Sequence, residues 1–280
     1  MIVFLNGKFV PENRAVVSVF DRGFLYGDAL FESLLVTRGR PFCWDMHMAR
    51  LQSGVSFLEL AIPYSWDQLR QFALQLIARN KMPEGMLRLT ISRGITGRTY
   101  SPQNAARPAV VMTLHPAPVI HALPRWPVIT APLQLMANDP LSLFKTANKL
   151  PQIVARAATD AARAREALFL NTAGRIAEGT TGNVFWIKNN VVCTPALPDS
   201  ALPGVTRALV LDLCVKMNIK CRQKKARLPE LRQSDGAFLT MSSLGIVEIA
   251  SLDGLNLKRS PLVQKLWVAY RALLQSDPLP

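Results

Sequence analysis

The sequence predicts an α+β protein with two domains. The chain has 280 residues, which exceeds the usual size of one hydrophobic core. Segments with strand and helix patterns mix without the strict alternation of a doubly wound parallel sheet. A proline-rich stretch interrupts both patterns, and we place a linker there, at residues 119–127. It separates an N-terminal domain, residues 1–118, from a C-terminal domain, residues 128–280.

The N-terminal part opens with a β-hairpin. Asn6 and Gly7 separate two apolar runs, and both residue types tolerate the positive φ angles of a tight turn. Hydrophobic periodicity and a Ser65-x-x-Gln68 capping box predict the elements that follow. In chain order they are a hairpin over 29–42, a helix over 45–60, a helix opening at Ser65, and strands over 87–92 and 109–114.

The C-terminal part begins after residues 115–127, where four prolines in thirteen residues exclude a helix or a central strand. Hydrophobic periodicity again predicts the elements beyond this point. The predicted elements are a helix over 152–165, a strand over 167–170, a hairpin over 184–194 that turns at Asn189-Asn190, a helix over 206–217, and strands over 238–240 and 246–250.

Composition excludes several classes of protein. Because 49% of the residues are apolar and 19% charged, the chain can offset the entropy of ordering, and disorder is excluded. Four scattered cysteines and three histidines argue against a disulfide scaffold or a metal site. No apolar run reaches about 18 residues and no basic leader opens the chain, so we expect a cytoplasmic protein. Its net charge of +14 favours anionic partners.

Lys145 lies among apolar neighbours in the run Phe-Lys-Thr-Ala-Asn. An amine in that setting would be partly desolvated, which favours the neutral form that acts as a base or as a Schiff-base nucleophile. The alternative is an ordinary solvated loop lysine, which is the commoner case for a lysine taken alone.

Three further segments carry groups that could bind a charged ligand. A glycine turn at Gly204 opens a helix, so the backbone of Val205 and the hydroxyl of Thr206 form a potential phosphate cup. Glu178 closes an apolar strand, where a buried carboxylate needs a cation such as a protonated pyridine nitrogen. Ser242 belongs to a hydroxyl cluster after another apolar strand. The alternatives are a plain helix start, an exposed salt-bridged glutamate and an ordinary polar turn.

A lysine, a carboxylate, a helix-opening glycine turn and a hydroxyl cluster, in that order, are the groups needed to hold pyridoxal phosphate. With this combination the sequence resembles the class IV aminotransferases, the fold type IV pyridoxal-phosphate enzymes, over nearly its whole length. The motifs that carry the resemblance are Asp21-Arg22-Gly-x-x-Tyr26-Gly27-Asp28-x-x-Phe31-Glu32, His47-x-x-Arg50-Leu51, Lys145-x-x-Asn148-x-Leu150, Glu178-Gly-x-x-x-Asn183 and Leu202-Pro-Gly204-Val205-Thr206-Arg207.

The resemblance implies a fold, an assembly and a set of roles. The fold is a small N-terminal α/β domain with a larger, barrel-like C-terminal domain, and the expected assembly is a homodimer. Lys145 is expected to bind the cofactor covalently and to shuttle protons, and Glu178 to pair with the pyridine nitrogen. The phosphate is expected to be held by Arg50, the backbone of Val205 and Thr206, and Ser242.

The loop after the strand at 87–92 separates members of this family. D-amino-acid aminotransferases hold the substrate carboxylate with an Arg-x-His pair, whereas this sequence has Arg98 and then Tyr100. The run Ser92-Arg93-Gly94 with Gly97-Arg98-x-Tyr100-Ser101 is more similar to 4-amino-4-deoxychorismate lyase, which releases pyruvate and leaves 4-aminobenzoate. Leu35 and Leu150 replace an arginine and a tyrosine of the branched-chain enzymes.

The resemblance therefore favours the lyase. A D-amino-acid or related R-selective transaminase with a 2-oxo acid acceptor is the alternative. In either case we expect Tyr26, Arg98 and Tyr100 to contact a small anionic amino or keto acid.

A non-enzymatic alternative rests on charge. Five cations fall in the eight residues 220–227, and such a cluster can neutralise nucleic-acid phosphates. No aromatic residue interleaves with them, as stacking on single strands would require. We therefore interpret this segment as a solvated loop or strand edge and expect no nucleic-acid partner.

Overall fold

The structure, a computed structural model, describes residues 1–97 and 99–276. The described chain divides into two compact units. Unit 1 contains residues from 1–118 together with the short segment 144–148, and unit 2 contains 119–143 and 149–276. Strands and helices are mixed in both units, so the predicted α+β class is confirmed.

Unit 1 is an antiparallel sheet with two long helices. Its elements are β1 (Ile2–Leu5), β2 (Lys8–Pro11), α1 (Arg22–Tyr26), β3 (Ala29–Thr37), β4 (Arg40–Pro41), α2 (Trp44–Phe57), α3 (Trp66–Asn80), β5 (Gly85–Ser92) and β6 (Val110–His115). The strand order is β2-β1-β6-β5-β3-β4. Buried residues such as Leu51 of α2, Leu69 of α3 and Leu87 of β5 join one hydrophobic core.

The local signals predicted in this unit form as expected. Asn6 and Gly7 adopt φ angles of 47° and 84° and close the β1–β2 hairpin. The Ser65 hydroxyl accepts a hydrogen bond from the Gln68 N–H at 3.2 Å, and the Gln68 side chain accepts one from the Ser65 N–H at 2.9 Å. The short helix α1 was not predicted, because five residues are too few to show helical periodicity.

Unit 2 is a larger, curled sheet flanked by helices. Its elements are β7 (Arg125–Leu135), α4 (Leu150–Ala161), β8 (Glu166–Asn171), β9 (Ile176–Gly179), β10 (Asn183–Lys188), β11 (Val191–Pro195), α5 (Val205–Lys216), β12 (Cys221–Lys224), α6 (Leu228–Arg232), β13 (Gly236–Met241), β14 (Gly245–Leu252), β15 (Leu255–Asn256) and α7 (Pro261–Gln275). The sheet order is β12-β11-β10-β13-β14-β7-β8-β9, and β15 pairs with β14.

The sheet of unit 2 is mixed. β7 pairs in parallel with both β14 and β8, and β11 pairs in parallel with β12, whereas the other pairs are antiparallel. At the far edge, β9 leads into β10 through a three-residue turn, where the Gly179 N–H donates to the Gly182 carbonyl at 2.7 Å. The sheet therefore forms a half-barrel around a core that contains Trp186, Leu239 and Val247.

The predicted linker is shorter than expected, because residues 125–127 begin strand β7. Two prolines lie within β7, and each falls where the pairing is irregular. Pro127 pairs with Ser251 at a register shift in β14, and Pro132 lies between Thr130 and Gln134, where the register to β8 shifts. A proline fits a strand at such bulges because no ladder hydrogen bond is required of it there.

The boundary also differs from the expectation in a second place. Residues 144–148 lie within the predicted C-terminal domain but belong to unit 1. They run beside β3, where the Phe31 N–H donates to the Lys145 carbonyl at 2.9 Å and the Ala147 N–H to the Ala29 carbonyl at 2.8 Å. Pairing between residues so distant in the chain leaves no local pattern in the sequence.

Among the described residues, no helix combines the length and the apolar character that crossing a membrane requires.

The capping box of α3 can be tested by substitution. We expect Ser65→Ala to lower the free energy of unfolding by about 1 kcal/mol, because the Gln68 N–H loses its acceptor. Urea denaturation followed by circular dichroism measures this change. The matched control is Ser53→Ala, which removes an exposed hydroxyl that bonds back to the Ala49 carbonyl within α2. Equal effects of the two substitutions would contradict the assignment.

Candidate functional site

Lys145 is half-buried in unit 1. Its backbone is held against β3, and its Nζ lies 4.7 Å from the centroid of the Phe31 ring. The guanidinium carbon of Arg88 lies 3.8 Å from the same centroid. An aromatic face stabilises a nearby cation electrostatically. Lys145 is thus partly shielded from solvent, as predicted, and its amine has a defined position beside the Phe31 ring.

Arg50 is held by a buried carboxylate. Its Nε donates to Glu32 Oε1 at 2.8 Å and its Nη2 to Glu32 Oε2 at 2.7 Å. His47 Nδ1 lies 2.7 Å from Glu32 Oε2. Arg50 and His47 lie one turn apart on α2, and Glu32 lies on β3. A bidentate ion pair of this kind fixes the plane of the guanidinium.

The pKa values of this cluster show which groups are charged. Burial alone would raise the pKa of Glu32, but the hydrogen bonds from His47 and Arg50 lower it to about 2. Burial lowers the pKa of His47, and the positive charges of Arg50 and Lys145 lower it further, against the effect of Glu32. At neutral pH, Glu32 is therefore an anion and His47 a neutral donor to it.

The predicted substrate contacts lie elsewhere in unit 1. The Tyr26 and Tyr100 rings are 5.5 Å apart between centroids. Tyr26 closes α1, whereas the Tyr100 side chain is 86% exposed on the loop after β5. Arg98, the third predicted contact, lies outside the described residues. Two of the three residues are therefore neighbours, with one ring available to a ligand.

Glu178 belongs to β9 in unit 2. Its Oε2 accepts a hydrogen bond from the Leu202 N–H at 2.8 Å. The Leu202 carbonyl in turn accepts one from the Asn183 side-chain amide at 2.8 Å. These bonds connect the carboxylate to the turn that precedes α5. The prediction that Glu178 ends a strand beside a turn is confirmed.

Val205 and Thr206 form the first turn of α5, and both are buried. Gly204 is the N-cap, and no side chain of the described residues bonds to the cap. A side chain at 204 would collide with Asn183 Oδ1, so only glycine lets the turn approach β10 this closely. The first N–H groups of a helix lack partners within the helix, and together with the helix dipole they attract an anion.

Thr240 is a buried residue of the hydroxyl cluster that also contains Ser242, and no separate role was predicted for it from the sequence. It pairs with Asn183 across β10 and β13, and its Oγ1 has no hydrogen-bond partner among the described residues. Ser242, the predicted phosphate contact, is half-buried in the turn between β13 and β14. An unsatisfied buried hydroxyl indicates that a polar partner is required at this position.

Glu166 was not identified from the sequence. It is fully buried at the start of β8 and accepts hydrogen bonds from the Thr180 N–H at 3.0 Å and the Thr181 hydroxyl at 2.5 Å. Both threonines lie in the turn that follows Glu178. Glu166 therefore holds that turn in place. A glutamate at the start of an apolar strand was the available signal, but its partners could not be inferred from spacing.

The predicted residues thus form groups within each unit. In unit 1, Lys145 and Arg50 lie close to His47, and Tyr26 lies beside Tyr100. In unit 2, Glu178 is connected through Leu202 to the start of α5. The basic segment 220–227 includes the edge strand β12, where Lys224 is paired with Glu230.

A model of the family described as "Amino-transferase class IV" matches residues 29–252. This match spans both units and includes Lys145 and Glu178. The stretch before residue 29, which contains α1, lies outside it.

Individual relatives carry three different names. A protein of Methanocaldococcus jannaschii, provisionally named branched-chain-amino-acid aminotransferase, is 31% identical over 255 residues, which are 91% of this chain and 88% of that protein. The D-alanine aminotransferase of Listeria innocua is 29% identical over 279 residues, 95% of this chain and 93% of that enzyme. Among solved structures, 4-amino-4-deoxychorismate lyase from Pseudomonas aeruginosa is 29% identical in sequence to this chain. The two folds superpose with a TM-score of 0.85, and the match covers 96% of this chain and 98% of that enzyme.

The Glu32 cluster predicts a pH dependence of stability. A carboxylate with a folded pKa of about 2, against 4.5 for its ordinary value, stabilises the fold above pH 4.5, and this contribution disappears as the pH falls towards 2. Its size is about 3 kcal/mol. We expect Glu32→Gln to be less stable at pH 7 and to lose less free energy of unfolding between pH 4.5 and 2. Urea denaturation at a series of pH values measures this.

The control for that series is Glu12→Gln, a change at a carboxylate that is 61% exposed. It should change the free energy of unfolding little at any pH, because the side chain is exposed and its one ion pair, with the N-terminal ammonium, lies at the surface. A Glu32→Gln variant with the same slope as the wild type would show that Glu32 does not titrate with a lowered pKa.

Proposed function

Because this chain belongs to the class IV amino-transferases, a family of pyridoxal-phosphate enzymes, we propose that it is a 4-amino-4-deoxychorismate lyase. The resemblance inferred from its motifs is confirmed by the family match, and so is the expectation of an enzyme with this cofactor. The proposed reaction splits aminodeoxychorismate into 4-aminobenzoate and pyruvate. The observation that carries the choice of lyase is the pair formed by Tyr26 and Tyr100.

The tyrosine pair suits a substrate with a ring. Tyr100 occupies the position at which D-amino-acid aminotransferases are expected to have a histidine, and its exposed ring lies beside that of Tyr26. A flat ring of the substrate can pack against such a face, and the phenolic hydroxyl can bond to a carboxylate. A small aliphatic amino acid would gain little from this contact.

The donor set of the chain fits pyridoxal phosphate. Thr240 Oγ1 is buried without a partner among the described residues, and it lies opposite Asn183, against which the turn before α5 packs. Phosphate oxygens would satisfy such a hydroxyl and the N–H groups of Val205 and Thr206. We propose that these groups, with Ser242 and Arg50, hold the phosphate.

The carboxylate of Glu178 is the proposed partner of the pyridine nitrogen. An anion beside that nitrogen keeps it protonated. The hydrogen bond from the Leu202 N–H holds the carboxylate in one orientation. When bound, pyridoxal phosphate supplies an electron sink. It accepts the electron pair that is left when the substrate carbon bearing the amine nitrogen loses a proton.

Lys145 performs the proton transfers in this proposal. Its amine would hold the cofactor covalently and would be free as a base once the substrate is bound. The freed amine then takes the proton from the ring carbon that bears the substrate nitrogen. As the bond from the ring to the ether oxygen breaks, the Lys145 ammonium returns a proton to that oxygen. The ring becomes aromatic and the three-carbon enol leaves to become pyruvate, so no other reactant is needed.

The charge and the surface of the chain support the same proposal. A net charge of +14 attracts a substrate with two carboxylates. Apolar side chains are exposed along residues 15–25 of unit 1, among them Val16 at 78% and Phe24 at 72%. Exposed apolar area of this kind favours a homodimer. All four cysteines are free thiols, in keeping with the cytoplasm.

A D-amino-acid transaminase with a 2-oxo acid acceptor is the second candidate. The similarity to the Listeria innocua D-alanine aminotransferase favours it, since that match covers 95% of this chain. Lys145 would again take the proton from the substrate carbon that bears the nitrogen, but a D-amino acid has no ether oxygen to receive it. The lysine therefore does not distinguish the two reactions.

The covalent role of Lys145 gives a direct prediction. We expect the purified protein to be yellow and borohydride to fix the cofactor to Lys145, which peptide mass spectrometry detects. Lys145→Ala should lose this adduct and about a thousandfold or more of its turnover. The control is Lys216→Ala at the exposed end of α5, which should keep both. An adduct on another lysine would overturn the assignment.

The choice of reaction gives a second prediction. The wild-type protein should form 4-aminobenzoate and pyruvate in equal amounts from aminodeoxychorismate, and it should consume D-alanine with 2-oxoglutarate far more slowly. Fluorescence of 4-aminobenzoate and a coupled pyruvate assay measure the two activities. Consumption of D-alanine without any 4-aminobenzoate would exclude the lyase and establish the transaminase.

A further inference from the structure

Arg22 is a buried arginine whose guanidinium binds three consecutive backbone carbonyls. The residue is 4% exposed and begins α1. Its Nη1 donates to the carbonyls of Thr99 at 2.7 Å and Ser101 at 3.2 Å, and its Nη2 donates to that of Tyr100 at 3.0 Å. The sequence assigned this residue no role beyond its place in a motif.

Asp28 fixes the guanidinium from the other side. Its Oδ2 accepts from Arg22 Nε at 2.7 Å and from Arg93 Nε at 2.7 Å. The backbone adds two bonds, since the Arg22 N–H donates to the Gly94 carbonyl at 2.8 Å and the Arg93 N–H to the Asp28 carbonyl at 3.1 Å. The two arginines and the aspartate thus form one network that joins α1 to the end of β5.

Among the described residues, the other hydrogen bonds of residues 99–101 are short-range, and they include one from the Gln103 N–H to Ser101 Oγ at 3.4 Å. The Thr99 N–H donates to the Gly97 carbonyl at 2.8 Å and the Ser101 N–H to the Thr99 hydroxyl at 3.2 Å. These bonds stay within residues 97–103, whereas those to Arg22 reach another element of unit 1. A loop without a strand partner needs such bonds to keep one conformation.

The same side chain also touches the tyrosine pair. The guanidinium carbon of Arg22 lies 5.1 Å from the centroid of the Tyr26 ring, and the Tyr26 ring lies 5.5 Å from that of Tyr100. One arginine therefore contacts the ring of Tyr26 and the backbone of Tyr100 together.

We propose that Arg22 is a positioning residue for substrate recognition, which holds residues 99–101 so that Tyr100 stays beside Tyr26. The holding of the loop follows from the contacts of Arg22 alone. The consequence for the substrate rests on the proposed function.

Arg22→Lys is the variant that isolates this role. Lysine keeps the positive charge beside Asp28, but a single ammonium group cannot reproduce the planar fork that reaches three carbonyls. Residues 99–101 should therefore lose the hydrogen bonds from residue 22, while the positive charge beside Asp28 is kept. The matched control is Arg79→Lys, since Arg79 also lies over an aromatic ring, that of Phe9, at 4.5 Å.

Hydrogen exchange with mass spectrometry reports on the loop whether or not the enzyme turns over. We expect amides of residues 99–105 to exchange about tenfold faster or more in Arg22→Lys, with no change in α3 or in unit 2. Arg79→Lys should match the wild type. Unchanged exchange in Arg22→Lys would overturn the proposal. If that variant does not fold, Asp28→Asn, which frees Arg22 on one side, should raise the same exchange rates.

Steady-state kinetics test the link to recognition. Arg22→Lys should raise the KM for aminodeoxychorismate about tenfold and change kcat by less than about twofold, with the cofactor spectrum unaltered. A merely structural loss would lower the active fraction, and hence kcat, at constant KM. In a Tyr100→Ala background, Arg22→Lys should add little to KM, because both act through the same contact.

The outcomes separate the two proposals. Faster exchange with an unchanged KM would overturn the recognition role of Arg22 and leave the lyase assignment intact. A protein that forms no 4-aminobenzoate would refute the lyase, and the KM for D-alanine would then decide the role of Arg22.

Discussion

The pairing of residues 144–148 with β3 is the constraint on which the position of Lys145 in unit 1 depends. Two backbone hydrogen bonds, from Phe31 to Lys145 and from Ala147 to Ala29, hold the segment. Closing so long a loop costs conformational entropy. Packing of Phe144 against the core that contains Leu30 offsets this cost. The lysine amine thereby gains a fixed place beside Phe31 and close to His47, which an isolated loop could not give it.

Carboxyl groups with little exposure in both units are held mainly by hydrogen bonds to defined partners. Glu32 is bound by Arg50 and His47, Asp28 by two arginines, and Glu166 by threonines of a turn. A buried charge is costly unless its hydrogen bonds are satisfied, and a satisfied network fixes the groups around it. Each network holds a group to which we assign a role: Arg50, the loop of Tyr100 and the turn after Glu178. Preorganisation of this kind lets reactive groups act without rearranging.

Local signals in the sequence predicted most of the elements but not all. The Asn6-Gly7 turn and the Ser65 capping box lie within a few residues, so their physics is contained in the sequence around them. Strand β7 was not predicted, because its prolines argue against a central strand, and only the irregular pairing with β14 and β8 accommodates them. Helix α7 was not predicted, although its buried stripe of Val263, Leu266 and Tyr270 has helical spacing.

The candidate site also combines features that the sequence predicted with features that it did not. Residue types and the spacing of their motifs indicated the family, the cofactor and the candidates Lys145, Glu178, Val205 and Thr206, because the chemistry requires those groups and the family resemblance gives their order along the chain. Only the tertiary structure decided that Glu32 holds Arg50, that Arg22 holds the loop of Tyr100, and that Thr240 lacks a partner among the described residues. Side-chain hydrogen bonds depend on distances of a few ångströms between elements far apart in the chain, and no pattern along the sequence carries that information.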